Sequence, residues 1–575
     1  MNNAYDLIIR SGTIVDGTGS DSFEADIAIS QGRIAAVGKV AGKGREEVDA
    51  KGLLVTPGFV DLHTHFDGHV TWESRPKPNT GHGSTTIVVG NCGVGFAPCK
   101  PRDRELLIKL METVEDIPFA DLEKGLPWDW ETYPEYIEAL GRRRYNMDIG
   151  TLVPHSTLRA YVMGERSLSD EKPSTADLAQ MAALTGEAIR AGALGFGSSM
   201  LTEQVTSDGR HIPSFHADEA EFLAITRGMA EAGSGVLQIA FEFNQFPRAI
   251  GELEMLVRVA KQSGRPLMYS LKQSNSDTTG WRKLLEISDR ANREGVTVHP
   301  QVFGRPTGAI LTLAGSLNPF ARCPSYRPLA KLPVAEKLAA LRQPELRARL
   351  VEEVKTSPLS TRSKGFSLYF PLRDPPDYEQ PLADSIEMRG RARGVEPAEL
   401  AYDYMLRDEG RAMMLMAGGN YADFNLEPSY EMLRNPYAVP GLGDGGAHSA
   451  IVCDASISTY MLSYWARDRT RGATLPLPEV VRLLTSASAN AVGLRDRGVL
   501  KPGYKADINV IDFANLTLRA PELSYDLPAG GPRMTQAVKG YVATVVSGEI
   551  VHRDDQPTAN LSGRVVRGPQ PAPRP

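Results

Sequence analysis

Two histidines stand two positions apart in the segment DLHTHFD (61–67), directly after the apolar run LLVTPGFV. Alternate residues of a strand point to one side, so His63 and His65 are expected to share a face where this strand ends. Two imidazoles on one side can bind a single cation. A lone pair of this kind can equally make ordinary hydrogen bonds at a strand end, and the rest of the chain must distinguish the two interpretations.

The middle of the chain alternates short apolar runs with helical segments, and these elements must position the histidines. The strand-like runs are GSTTIVVGNCG, NMDIGTLVPHS, AGALGFGSS, GVLQIAFEF, RPLMYSLKQ and VTVHPQVFG. Helical segments such as TADLAQMAALTGEAIRA lie between them. Repeated strand–helix units of this length are typical of a parallel sheet. We therefore predict an α/β fold whose main domain is a (β/α)8 TIM-like barrel over residues 57–487.

The remaining segments differ from the barrel in composition. Short strands with Gly/Asp turns occupy both ends of the chain, and residues 1–56 and 488–556 are predicted to form one small β-sandwich domain. Residues 315–410, rich in Arg, Glu and Leu, indicate a helical insertion that covers the barrel mouth. The Pro-rich tail, residues 557–575, is expected to be loosely held.

Further residues of metal-binding type stand at the predicted strand ends. The C-terminal ends of barrel strands face the active site. Cys92 follows the second strand, His155 closes the third, and His299 lies on a later one. Asp444 lies in the glycine-rich turn GLGDGGAHSA, where an open backbone exposes the carboxylate. Together with the histidine pair, these residue types are ordinary zinc ligands.

These residues belong to longer motifs that occur in a fixed order. The motifs are VTPGFVDLHTHFD, GSTTIVVGNCGVGFAP, PHSTLRAYVMG, AGALGFGSS, GDGGAH, LLTSASANAVGLRDRGVLKPGYKADINVID and VVSGEIV. Over residues 5–555 the chain resembles the metal-dependent amidohydrolases, and among them the D-aminoacylase (N-acyl-D-amino-acid deacylase) branch. The resemblance implies a barrel enzyme that hydrolyses C–N bonds with metal-activated water.

The resemblance also implies roles for individual residues. His63 and His65 match the family's first-strand metal pair. Cys92 matches the cysteine that binds metal in the D-aminoacylase branch, where other branches use a carboxylated lysine. Asp444 matches the last-strand aspartate, a metal ligand that orients the water and carries its proton to the leaving nitrogen. We therefore expect one or two divalent ions per chain, with zinc as the expected ion.

The chain departs from the D-aminoacylase pattern at three places. Leu271, in YSLKQS, stands where the branch has a metal histidine, and no histidine occurs between His216 and His299. His299 is close to the position of the next-strand ligand and is kept as a candidate ligand, but the D-x-Y-P-Y phrase that usually surrounds that ligand is missing. The loop at residues 198–213, SSMLTEQVTSDGRHIP, replaces a tyrosine-containing substrate loop. The number of metal ions and the substrate known for the D-aminoacylase branch therefore cannot be assigned directly to this chain.

Five polar residues are candidates for substrate binding, each with a structural alternative. Lys272 could contact the substrate or pair with an acid. Arg159 and Arg305 could clamp a carboxylate through two hydrogen bonds or form structural ion pairs. His448 follows Asp444 by one helical turn and could lie beside the metal. The fifth candidate is His155.

The composition limits the possible partners. The formal net charge is −6, from 64 basic and 70 acidic residues, and no basic stripe indicates a nucleic-acid partner. No stretch reaches the roughly 20 apolar residues of a membrane span. Four scattered cysteines do not form a disulfide framework, so a reducing cytoplasm is the expected location. Assembly into a homo-oligomer stays open.

The preferred function is metal-dependent hydrolysis of a C–N amide bond in a small substrate, with an N-acyl amino acid as the leading candidate. One alternative is ring opening of a cyclic amide, as in hydantoinase-like enzymes. The other is a catalytically silent barrel that binds a metal or ligand, since one customary ligand is missing.

Overall fold

The computed structural model describes residues 5–356, 365–441 and 443–574. The strands in chain order are β1 (Tyr5–Ile14), β2 (Phe23–Ser30), β3 (Arg33–Gly38), β4 (Gly44–Asp49), β5 (Leu54–Pro57), β6 (Phe59–Asp61), β7 (Ser84–Val89), β8 (Asp148–Pro154), β9 (Gly195–Ser199), β10 (Val236–Ala240), β11 (Leu267–Leu271), β12 (Val298–Val302), β13 (Thr307–Leu311), β14 (Tyr369–Pro371), β15 (Met414–Gly419), β16 (Val439–Pro440), β17 (Ile508–Ile511), β18 (Thr517–Ser524), β19 (Arg533–Lys539), β20 (Tyr541–Val546), β21 (Glu549–Arg553) and β22 (Gln556–Pro557).

The α-helices in chain order are α1 (His69–Trp72), α2 (Arg104–Glu115), α3 (Phe119–Gly125), α4 (Tyr133–Gly141), α5 (His155–Met163), α6 (Thr175–Ala191), α7 (Glu219–Glu231), α8 (Phe246–Ser263), α9 (Gly280–Arg293), α10 (Val334–Leu341), α11 (Pro344–Val354), α12 (Ile386–Arg393), α13 (Pro397–Met405), α14 (Arg407–Gly410), α15 (Glu427–Leu433), α16 (Ile457–Tyr460), α17 (Leu477–Arg482) and α18 (Ser488–Ala491). Among the described residues, none of the helices combines the length and apolarity that crossing a membrane requires.

Eight parallel strands form the predicted barrel. Their order in the sheet is β16, β12, β11, β10, β9, β8, β7, β6. The chain beyond β6 and β16 closes the ring through a parallel bridge between Thr64 and Gly445. At this closure the His65 N–H donates to the Gly445 carbonyl at 2.7 Å, and the Asp444 N–H donates to the His63 carbonyl at 3.0 Å. The barrel fold is therefore confirmed, and its closing seam holds the motif residues.

A layer of apolar side chains fills the barrel interior below this seam. Its members are Val60, Leu62, Val88, Leu152, Leu194, Val236, Met268 and Val439. Inward-facing residues alternate along each strand. Because Met268 points into the barrel, every second residue of β11 counted from Met268 points the same way. Ser270 consequently faces the barrel mouth, whereas Leu271 packs in the outer core between strand and helices.

Strands from both ends of the chain share one nine-stranded sheet. Its order is β22, β21, β20, β17, β5, β1, β2, β3, with β4 paired to β1. The small β domain expected from both chain ends is therefore present, and hydrogen bonding is continuous across its strands. The direct pairing of β17 with β5 joins residues 508–511 to residues 54–57. This contact ties the two chain ends together beside the barrel.

The chain leaves the barrel after β12 and returns to it only at β16. The excursion contains α10–α15 and a three-stranded antiparallel sheet, β13–β15–β14. The predicted helical insertion at 315–410 is thus part of a longer segment with its own sheet. A separate core that includes Leu313, Phe320, Leu338 and Tyr402 holds it together.

The C-terminal tail is ordered against the floor of the barrel, which corrects the expectation of a loosely held segment. Gly563 bridges Tyr145, and Val565 bridges Ile149 at the start of β8. Val566 is buried in the interior apolar layer. The prolines of this segment restrict the backbone of an extended strap and do not indicate disorder.

Removal of residues 559–575 is expected to lower the thermal stability of the protein. The deletion exposes the apolar floor, and burial of one valine side chain alone contributes about 1.5–3 kcal/mol. The measurement is the midpoint of thermal unfolding by circular dichroism. A truncation after residue 571 keeps Val566 and the Gln570–Leu494 bridge and is the control. Equal midpoints for the long and short truncations would contradict a structural role for the strap.

Candidate metal and catalytic site

His63, His65 and Cys92 converge at the barrel mouth. One donor atom from each lies within 4.8 Å of the others, and all three side chains are buried. The Cys92 Sγ is 3.3 Å from the His63 Nε2. Cys92 lies in the turn after β7 with φ +51°, in the left-handed region that non-glycine residues rarely adopt. This turn directs the thiol toward the histidine pair.

Asp444 approaches the same point from the opposite side of the seam. Its Oδ1 lies 3.6 Å from the His63 Nε2 and 3.7 Å from the His65 Nε2. The residue has φ +42°, and its N–H is held by the His63 carbonyl. The geometry therefore brings together the four residues that the motifs singled out.

An oxygen atom lies beside the opposite ring nitrogen of each imidazole. The His63 Nδ1 lies 3.2 Å from the Gln301 Oε1, and the His65 Nδ1 lies 3.2 Å from the Glu115 Oε1. An oxygen acceptor at Nδ1 places the ring proton there and leaves the Nε2 lone pair for a metal. Both Nε2 atoms face Asp444, so the donor set fits a divalent cation.

Burial sets the charge of these groups. It lowers the pKa of His63 to about 4 and the pKa of His65 well below its usual value, so both rings are neutral near pH 7. Burial also raises the pKa of the Cys92 thiol and of the Asp444 carboxyl well above their usual ranges. A divalent cation opposes the second effect, because it favours the thiolate and the carboxylate that bind it.

The neighbouring strands carry uncharged residues where a further ligand set would lie. The Gln238 Oε1 accepts the Cys92 N–H at 3.3 Å. Ser270 lines the cavity, whereas Leu271 lies in the outer core. The residue of β11 that faces the cavity beside the predicted gap is therefore Ser270, one position before Leu271. A shift of one position moves a side chain to the other face of a strand.

His299 does not reach the cluster, which corrects its assignment as a candidate ligand. It is the second residue of β12, near the end of the strand that is remote from the mouth. Its Nδ1 contacts the Tyr437 carbonyl at 3.0 Å. Gln301 lies two residues further along the same face and is the residue of this strand that contacts His63.

His155 and Arg159 form a buried structural network and do not line the cavity at the barrel mouth. The His155 ring contacts the Ser198 Oγ and the Glu221 Oε1, each at 2.8 Å. The Arg159 Nε lies 3.3 Å from the same Glu221 oxygen. Buried charges require such partners. The expectation that these two residues bind substrate is therefore not supported.

Arg305 is also fully engaged within the protein. It is 2% exposed, and its guanidinium pairs with Asp454 and donates to the Cys453 carbonyl at 2.7 Å and to the Ser456 Oγ at 3.0 Å. It also lies 4.4 Å above the Tyr378 ring. These contacts occupy the guanidinium N–H groups that would be needed to bind a substrate carboxylate. The predicted arginine clamp is corrected for this reason.

Lys272 and His448 do line the cavity, together with the metal-type cluster. The cavity has a volume of about 790 Å³. The Lys272 Nζ lies 4.5 Å from the centre of the Phe243 ring. Among the described residues, no acidic side chain forms an ion pair with it. Burial lowers the pKa of Lys272, while Glu203, Asp444 and Glu242 oppose this effect.

The wall of the cavity opposite the cluster comes largely from the excursion between β12 and β16. It contributes Ala309, Leu317, Leu368 and Met416, with Thr307 among the polar positions. The expected cover over the barrel mouth is therefore present. Apolar walls with a few polar groups are typical of small-molecule sites.

Two residues that contact the cluster were missed by sequence reasoning, Glu115 and Gln301. Both are distant in sequence from the histidines they contact. The only local signal for Glu115 is an acid beside Val114 on the apolar face of α2 (RELLIKLMETVE). Gln301 gives a comparable signal as a polar residue within the buried strand VHPQV.

Comparisons with known proteins cover almost the entire chain. A sequence profile of the amidohydrolase family matches residues 46–552. The D-aminoacylase of Alcaligenes xylosoxydans xylosoxydans is 24% identical over 574 residues, which cover 98% of this chain and 97% of that protein.

Two solved structures share the fold. One is N-acyl-D-glutamate deacylase from Bordetella bronchiseptica, complexed with zinc and a phosphonate inhibitor, with 23% identity, a TM-score of 0.62 and coverage of 98% and 99%. The other is a D-aminoacylase described with a binuclear metal centre, with 22% identity, a TM-score of 0.64 and coverage of 98% and 100%. The common architecture thus includes the barrel and the sheet built from both chain ends.

Proposed function

Because this chain belongs to the amidohydrolase family, we propose that it is a metal-dependent hydrolase that cleaves the amide bond of an N-acyl amino acid. The convergence of two imidazole Nε2 atoms, a thiol and a carboxylate at the barrel mouth carries this proposal. The full-length similarity to D-aminoacylase supports the substrate class. The residues of this chain then have separable tasks.

His63, His65, Cys92 and Asp444 would hold the metal. A bound divalent cation supplies Lewis acidity toward water and the amide carbonyl. Asp444 faces the ligand atoms through Oδ1, so its second oxygen, Oδ2, would take a proton from the attacking water and return it to the leaving nitrogen. The apolar wall across the cavity limits the access of other water.

Zinc is the proposed ion, with one per chain. Imidazole, thiolate and carboxylate ligands together favour zinc over magnesium or calcium. Among the described residues, one compact group of three His, Cys, Asp or Glu donors is found. The uncharged Gln238 and Ser270 adjoin it where a second ion would need ligands. A stoichiometry near two zinc ions per chain would contradict this proposal.

Lys272 is proposed to bind the substrate carboxylate. It is the cation just after β11 that faces the cavity beside the cluster, and Ser270 precedes it on the same face. A free ammonium group beside an aromatic ring suits an anionic substituent. The carboxylate of an N-acyl amino acid lies close to its scissile amide, which matches the position of Lys272 beside the metal ligands.

Lys272→Met is expected to raise KM by about 10–100-fold with a smaller change in kcat, because a hydrogen bond to a charged group is lost on binding. Steady-state kinetics on N-acyl amino acids measures both constants. Arg322→Met is the control, since Arg322 lines the outer, exposed part of the same cavity. An equal KM increase for the matching N-acyl amine, which lacks the carboxylate, would contradict the contact.

The proposed function is tested by a hydrolysis screen of the zinc-loaded enzyme. The panel contains N-acyl D-amino acids, N-acyl L-amino acids, simple amides and cyclic amides. Turnover of N-acyl amino acids that is lost after chelation supports the proposal. Selective turnover of cyclic amides would replace it with the ring-opening alternative, and binding of zinc without turnover of any member would favour a silent barrel.

A further inference from the structure

We infer that Glu115 is a positioning residue for His65. Its Oε1 lies beside the His65 Nδ1, where it would accept the ring proton when metal is bound and so hold the Nε2 toward Cys92 and Asp444. This inference rests on the proposed metal site and extends it to a helix that no metal motif includes. Glu115 is the last residue of α2, which follows β7 and the cysteine turn.

The burial of Glu115 requires a compensating partner. The residue is 2% exposed, and its Oε1 lies 3.2 Å from the His65 Nδ1. Within the described part of the chain, no Lys or Arg forms an ion pair with it. Burial raises the pKa of Glu115 well above its usual range, and the acidic Asp444 and Asp67 add to this effect. The His65 Nδ1 is likewise buried and makes no hydrogen bond to any described residue, so the close approach of the two groups gives each of them a polar neighbour.

The other histidine of the pair shows the same arrangement with a neutral partner. The Gln301 Oε1 lies 3.2 Å from the His63 Nδ1, the same separation as between Glu115 and His65. Both rings therefore have an oxygen at Nδ1 and direct Nε2 to a common point. Such partners fix the orientation and the tautomer of a metal-binding histidine.

The geometry distinguishes this role from direct metal binding. Glu115 lines the same cavity as the donor atoms, but its Oε1 approaches His65 at Nδ1, the ring nitrogen opposite the one that faces Asp444. The carboxylate contacts Nδ1, while the Asp444 Oδ1 lies 3.7 Å from Nε2. We therefore expect residue 115 to need a side chain long enough to place an oxygen acceptor beside the His65 Nδ1. A negative charge alone is insufficient.

Two conservative variants separate the effect of side-chain length from the effect of charge. Glu115→Gln keeps an oxygen at the same distance and removes the charge, as Gln301 does for His63. Glu115→Asp keeps the charge and withdraws the oxygen by one methylene. The dissociation constant for Zn²⁺ is measured by titrating metal-free full-length protein against a chromophoric chelator. Absorption of the Co²⁺-substituted protein reports the coordination independently, without any activity assay.

We expect Glu115→Asp and Glu115→Ala to weaken Zn²⁺ binding by about 10–100-fold, and Glu115→Gln to remain within about threefold of the wild type. The Co²⁺ spectrum should change in the first two variants and stay unchanged in the third. Far-UV circular dichroism of the metal-free proteins controls for folding, and the Gln/Asp pair decides the outcome even where the alanine variant does not fold.

The inference is overturned if all variants bind Zn²⁺ as the wild type does, or if the order of Gln and Asp is reversed. A reversed order would assign the effect to charge or to direct coordination. A wild-type protein without a Zn²⁺ site that depends on His63 and His65 would contradict the proposed function as well. Tight Zn²⁺ binding that is indifferent to Glu115 contradicts the positioning role alone.

Discussion

Asp444→Asn is expected to lower kcat by about 10²–10⁴-fold, because an amide cannot accept and return the proton of the attacking water. The asparagine preserves the shape of the side chain, and the backbone N–H of residue 444 still donates to the His63 carbonyl. The barrel seam therefore stays closed. The measurement is steady-state kinetics at saturating Zn²⁺, which compensates for any weaker metal binding by the variant.

A matched control separates this role from a general loss of negative charge. Glu203→Gln removes another carboxylate that lines the same cavity, but the Glu203 Oε1 accepts from Asn244 at 3.2 Å, and it is Asp444 that pairs with His63 and His65. Its kcat is expected to change by less than about tenfold. A folded, zinc-loaded Asp444→Asn enzyme with the wild-type kcat would exclude Asp444 as the proton carrier.

The parts of the site that could be predicted from the sequence are those set by short-range geometry. His63 and His65 directly follow β6 on either side of the Thr64–Gly445 bridge, and Asp444 lies in a glycine-rich turn after the last strand. The alternation of strands and helices indicates the barrel, and the barrel fixes which strand ends meet. Placement at a strand end was therefore sufficient to bring these residues and Cys92 together.

Placement at a strand end was not sufficient for the other candidates. His155 follows β8 at the mouth, but its ring turns into the protein and pairs with Glu221. Arg305 follows β12 and pairs with Asp454, which is 149 positions away in sequence. The direction of a long polar side chain depends on such distant partners, and the sequence of one strand does not reveal them.

The sequence also did not determine which residues of each strand face the site. Leu271 and Ser270 are adjacent, and only the packing of Met268 in the barrel interior shows that Ser270 faces the site. His299 and Gln301 share a face, but two residues along a strand span about 6–7 Å. Because of this distance, Gln301 contacts His63 and His299 does not. Glu115 depends on the end of a helix reaching His65, a contact between distant segments.

The His63→Ala/His65→Ala double variant is expected to lose its bound metal, because two of the four proposed ligands are removed from the segment that follows β6. Protein purified without added metal is analysed for its elements. The wild type is expected to contain about one zinc per chain, and the double variant a small fraction of that amount. Its hydrolytic activity should fall in proportion to the metal content.

His299→Ala is the matched control for this experiment. His299 is a partly buried histidine on a barrel strand, but its ring contacts the Tyr437 carbonyl and not the cluster. The control variant should therefore keep the metal content of the wild type. If the double variant retains its metal, or if His299→Ala loses as much, the ion does not lie between His63 and His65. The barrel would then bind its metal elsewhere, and the tasks proposed for Asp444 and Glu115 would fail with the site, because both depend on the Nε2 atoms of this pair facing one cation.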